Sequence, residues 1–170
     1  MGIFDTRGFG EYDSSAMSRS LTAWYDPGVL GRQNATLDGE IELESLQRLS
    51  ELVDSRDGSV KARFRFDQGR SQCVTVDIDY EVTLELLCQR CLEPFTLALA
   101  EHSALALIEP EGVEDYAPQG YEPLSLEEPR LQPIALLEDE LIMALPLVPR
   151  HAEDEECGVL AERVTQLNNG

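Results

Sequence analysis

The sequence predicts an α+β fold, an antiparallel sheet with a short helix before it and an acidic helix after it. Three observations carry that prediction. The apolar period changes from 3.6 to 2 near residue 58, alternation then runs unbroken from Val74 to Leu86, and a proline-bounded amphipathic stretch spans Pro133 to Leu145. The 170 residues suit one domain and leave no room for two large ones. That domain is placed at 36–150, between a flexible N-terminal segment (1–35) and an acidic C-terminal tail (151–170).

Residues 1–35 are rich in Gly, Ser, Asp and Arg, hold no period, and carry Trp24, Tyr25 and a turn at Asp26-Pro27-Gly28. From Glu44 to Val53, the spacing of Leu46, Leu49, Leu52 and Val53 predicts a short amphipathic helix ended by Asp57-Gly58. Val60, Ala62, Phe64 and Phe66 then alternate with Lys61, Arg63, Arg65 and Asp67, giving a strand with one apolar and one mostly basic face. Val74, Val76, Ile78, Tyr80, Val82, Leu84 and Leu86 alternate with polar residues in a long strand buried on one face. Cys88-Gln-Arg-Cys91 and Pro94 interrupt it. Weaker alternation through Phe95, Leu97, Leu99, Ala104, Ala106 and Ile108 supplies the second strand of a hairpin. Residues 109–133, with five prolines, read as an irregular loop holding a brief edge strand near Tyr121–Leu126. Pro133 opens the last helix, where Ile134, Leu137, Leu141 and Leu145 share a face and Glu138, Asp139 and Glu140 point largely elsewhere. An open sheet and a barrel-like closure both satisfy this pattern.

Charge narrows the function. Thirty-three Asp and Glu oppose 13 Lys and Arg, for a formal net charge of −20. Such a surface repels phosphate backbones, which opposes bulk binding to nucleic acid. The excess is concentrated after residue 100, where sixteen acids face three bases. It reads either as a solvated, solubilising face or as a surface for a basic partner. Residues 1–13 lack an apolar signal core, and no uncharged apolar run approaches the roughly 18 residues of a membrane span. With four cysteines and no export signal, a reducing, cytoplasmic setting without membrane contact is expected.

The pointed motif is C-x2-C at Cys88 and Cys91. A thioredoxin-like dithiol needs a helix N-terminus to lower the first thiol's pKa, and strands flank this pair instead. Two cysteines on a tight turn between strands also form half of a zinc site. The other residues of the right type are Cys73, Cys157, His102 and His151, of which His151 and Cys157 would complete a Cys3His set. The plainer alternative has Cys88 and Cys91 as small buried residues closing a hairpin, with His151 and Cys157 in solvent. His102 reads as a surface imidazole. No phosphate loop, HExxH or supported nucleophile is present, so an enzyme is not indicated.

LELLCQRCLEPFTLAL (84–99) resembles the signature of the YceD family of bacterial and plastid proteins. LEDELIMALPLVP (137–149) is similar to that family's second signature, Tyr121-Glu122-Pro123 precedes it as expected, and Leu37-Asp38-Gly39 is compatible. The resemblance spans about residues 37–157. It implies a role in synthesis, processing or stability of the 23S rRNA of the large ribosomal subunit, with no catalytic residues recognised. Many relatives carry further cysteines after the second helix and look able to bind zinc through both pairs; this chain keeps His151 and Cys157 there.

Given the charge, the expected role is an assembly factor that binds a basic ribosomal protein or a large-subunit precursor. The acidic loop 109–128 and the helix acids Glu138, Asp139 and Glu140 would form the attracting face. The alternatives are an RNA-binding module using Arg63, Arg65 and Arg90, and an rRNA-processing enzyme. Lys61, Arg63 and Arg65 would otherwise pair with Asp77, Asp79 and Glu81 on the next strand.

Overall fold

The computed structural model describes residues 20–68, 73–108, 117–152 and 157. Five strands form one open sheet in the order β1-β2-β3-β4-β5: β1 (Thr36–Glu42), β2 (Ser59–Asp67), β3 (Val74–Leu87), β4 (Pro94–Ile108) and β5 (Glu122–Ser125). The first four are antiparallel neighbours, and β5 runs parallel to the end of β4. Among the described residues, two helices accompany the sheet, α1 (Pro27–Arg32) and α2 (Pro133–Ala144). The fold is therefore α+β, and among the described residues the sheet does not close into a barrel. Among the described residues, no helix is long and apolar enough to cross a membrane.

Alternation decides which face is buried. Val60, Ala62, Phe64 and Phe66 of β2 and Val76, Ile78, Tyr80, Val82 and Leu84 of β3 face a core completed by Leu136, Leu137 and Leu141 of α2. Leu37 and Ile41 of β1 continue that face on either side of Gly39. A Cβ on Gly39 would lie 3.2 Å from Leu21 Cδ1, so Leu21 fills the place of the missing side chain. The opposite face is polar and compensates its own charge. Asp38, Arg63, Asp79 and His102 lie side by side across β1 to β4, as do Glu40, Lys61, Glu81 and Ala100. The basic stripe on β2 thus stands between two acidic ones, and Arg65 pairs with Asp79 at 3.0 Å.

Several expectations are corrected. The helix read over 44–53 is two single 3-10 turns, Leu43–Ser45 and Leu49–Glu51. Leu43, Leu46 and Leu49 are buried at the three-residue spacing of that geometry, while Leu52 is 52% exposed. Strand β1 is not predicted as a separate element by the sequence pattern. Residues 20–35 of the N-terminal segment bury Leu21 and Leu30 and form α1, which Asp26 caps by accepting from Val29 N at 3.1 Å. The remainder of that segment (1–19) and of the acidic tail (153–156 and 158–170) lies outside the described residues, as do 69–72 and 109–116.

Candidate metal centre

The β3–β4 hairpin ends in a six-residue connection, Cys88 to Glu93. Cys88 N donates to Glu93 O at 3.0 Å, and Leu92 N donates back to Cys88 O at 2.8 Å. Leu92 takes φ +61°, a left-handed conformation that costs a branched side chain about 1 kcal/mol. This tight turn directs the sulfurs of Cys88 and Cys91 inward, and both residues are buried. The chain leaving α2 is tied to the turn where Gln89 N donates to Pro149 O at 2.8 Å. That contact delivers His151, whose ring tilts against Phe95 at 5.3 Å between centroids. Cys157 returns to the same place and is buried there.

One ligand atom from each of Cys88, Cys91, His151 and Cys157 lies within 4.8 Å of every other. Sγ of Cys88 and Cys157 are 3.8 Å apart, and His151 Nδ1 is 3.5 Å from Sγ of both Cys91 and Cys157. A tetrahedral ion with bonds of about 2.3 Å to sulfur and about 2.0 Å to nitrogen has S···S edges of about 3.8 Å and S···N edges of about 3.5 Å. The three distances match those edges, and the donor set is one that zinc takes, so the residues fit a metal of this kind.

The electrostatics agree. Burial resists ionisation of Cys88, but backbone N–H groups of Cys91, His151 and Arg90, with the His151 side chain, outweigh it and bring the thiol to about 5. A metal ligand must be a thiolate, and Cys88 is prepared as one. Burial pushes the Cys157 thiol up, and Arg90 counters it. Arg90 Nε donates to Cys157 Sγ at 3.1 Å. Three thiolates around a divalent ion leave one negative charge, which this guanidinium offsets.

The other candidate ligands are elsewhere. Cys73 packs with Ala106 and Ile108. His102 stands on the polar face, its Nδ1 2.9 Å from Asp79 and its Nε2 3.4 Å from Asp77. The arginines of the RNA reading do not form one stripe, since Arg63 lies on β2 between Asp38 and Asp79, Arg65 lies there between Thr36 and Asp77, and Arg90 sits at the metal cluster. Glu138 does not face solvent. It is 8% exposed and accepts from the backbone N of Arg48 (2.7 Å) and Leu49 (3.1 Å) and from Arg48 Nε (3.0 Å), capping the second 3-10 turn. Asp139 is exposed and pairs with Arg48, and half-buried Glu140 accepts from Ser103. Arg48, which pairs with both Glu138 and Asp139, carries no sequence signal.

Comparison with known proteins agrees with the hairpin and helix signatures. The profile of the family described as large ribosomal RNA subunit accumulation protein YceD matches residues 76–168. The chain belongs to the YceD family. The Haemophilus influenzae (strain ATCC 51907 / DSM 11121 / KW20 / Rd) protein of that description is 31% identical over 140 residues, covering 77% of this chain and 80% of the relative. The YceD match takes in both halves of the cluster, the turn pair and the pair beyond α2. No solved structure matches the chain.

Proposed function

We propose that this chain is a cytoplasmic, non-enzymatic factor in accumulation of large-subunit (23S) ribosomal RNA. It engages a basic ribosomal protein or a precursor particle, and a structural zinc held by Cys88, Cys91, His151 and Cys157 shapes its hairpin tip. The observation that carries the reading is the family match to a relative named for that role, extending across the cluster. The four-ligand set supports a structural rather than a catalytic ion, because a tetrahedral site filled by protein has no position for substrate. The balanced sheet face supports a protein partner over a phosphate backbone. Of the helix acids, Asp139 is exposed but paired with Arg48, and Glu138 serves the fold, so the charge for long-range attraction comes chiefly from elsewhere in the acidic segment, such as exposed Glu127.

Sedimentation of lysate containing the tagged full chain tests the reading. Co-migration with large-subunit precursors at low salt, lost as salt rises, is expected. A chain that runs alone at low and moderate salt overturns it. Metal analysis tests the zinc: about one equivalent per chain is expected, and none in protein purified without chelator would refute it.

A further inference from the structure

Among the described residues, β5 pairs only with Leu105–Ile108 of β4, so the stretch 95–104 has a neighbouring strand on one side alone, β3. The bond from Cys88 N to Glu93 O makes those two residues a hydrogen-bonded pair. Antiparallel alternation then turns the N–H and C=O groups of Thr96, Ala98, Ala100 and His102 away from β3. The same parity holds farther along, where Ile108 O accepts from Leu126 N at 2.8 Å on the β5 side.

Edges of this length are ordinarily blunted by lysines, prolines, bulges or a covering element. Here the register with β3 is continuous, Pro94 stands only at the start, and no lysine follows it. The side chains on the polar face are small at Ala98 and Ala100, and both are exposed. They floor an open groove of about 440 Å³ bordered by Lys61, Glu81 and Thr83. On the other face, Leu97 and Leu99 are half-buried.

We propose that this edge of β4 receives an extended segment of a partner protein by strand addition, and that the segment alternates apolar and basic residues. Its backbone would complete the outward groups of Thr96, Ala98, Ala100 and His102. Apolar side chains would lie beside Leu97 and Leu99. Basic ones would lie over Ala98 and Ala100 and reach Glu81 and Glu85, which stand two strand spacings away, about 9.6 Å. The requirement for a basic partner rests on the proposed function. A second copy of this chain is a poor occupant, because each copy carries −20.

Amide exchange of the labelled full chain tests this, with the synthetic peptide (Lys-Val)4 as probe and (Glu-Val)4 as control. The basic peptide should slow exchange at Thr96, Ala98, Ala100 and His102 at least tenfold, while Leu97 and Leu99 stay as protected as in the free chain. Ala100→Pro removes an N–H that β3 does not use, and should abolish that protection with the hairpin intact. Ala98→Lys keeps every backbone group and should weaken basic-peptide binding at least tenfold. No binding, equal protection by the acidic peptide, or protection of those four amides in the free chain overturns the proposal. The two readings fail separately. If the unmodified chain and both variants co-migrate equally with precursors, the edge proposal falls and the function stands. If the unmodified chain never co-migrates, the function falls and the exchange pattern still decides the edge.

Discussion

At its root, the β3–β4 hairpin is held by burial: Val76 and Ile78 of β3 and Leu105 and Leu107 of β4 belong to the large core under α2. At its tip the hairpin has a small cluster of its own, Cys88, Cys91 and Cys157 with Phe95 packed against it. One hairpin thus joins a large apolar core at one end to a small buried set of candidate ligands at the other, which a metal would be needed to stabilise. The difference predicts that the ends fail independently, and the following experiments try to break that separation.

The largest effect belongs to the root. Leu137 is fully buried on α2, and Leu137→Ala should cost about 2–5 kcal/mol in denaturant unfolding. Metal content per folded chain should not change. Loss of metal at denaturant concentrations where the chain remains folded would show that the root governs the tip.

Removing zinc is the reciprocal experiment. On the proposed function, free zinc at 100 times its Kd would stabilise the chain by about 2.7 kcal/mol, and chelation would remove that contribution. Amide exchange should accelerate around 88–95, and at Gln89, whose N–H holds Pro149. The amides of Val76 and Ile78 should keep their protection. Uniform acceleration across β3 would mean that the hairpin is a single cooperative unit.

How much of this was legible follows from the same division. Strands β2 and β3 and helix α2 announce themselves because one face of each is buried, and a buried face writes a period into sequence. Strand β1 has that period too, but its middle apolar position is Gly39, filled from outside by Leu21, so the alternation reads as broken. The 3-10 turns resemble a helix in sequence because leucines three apart suit both geometries. At the candidate site, Cys88 and Cys91 were visible by spacing, and His151 and Cys157 by elimination and by family resemblance. The burial of Glu138 was invisible, because only the tertiary approach of Arg48 and Leu49 gives its carboxylate three donors.

Alkaline pH probes the middle of the hairpin. Tyr80 is buried, and that burial, followed by the charges of Glu140 and Glu101, pushes its phenol up to about 12 from an ordinary value of 10.0. Between those values the unfolded chain loses a proton that the folded chain keeps, so stability falls as pH rises. The full contribution is present below pH 10, and the slope approaches about 1.4 kcal/mol per pH unit above it. Tyr80→Phe should flatten stability over that window, and an unchanged slope would assign alkaline unfolding to other groups.

The smallest effect distinguishes a compensated face from a working one. Arg65 and Asp79 are a partly exposed pair, so Arg65→Ala should cost less than about 1 kcal/mol. Arg65→Glu should cost more, because it places a third carboxylate beside Asp77 and Asp79 where the arginine had offset them. Neither variant should alter zinc content, and Arg65→Ala should leave precursor association unchanged if β2 serves only to balance its neighbours. Should Arg65→Ala abolish that association in a chain of normal stability, the polar sheet face would be the contact surface. Partner selection would then belong to the arginines between the acidic strands, and the tip and the β4 edge would merely support them.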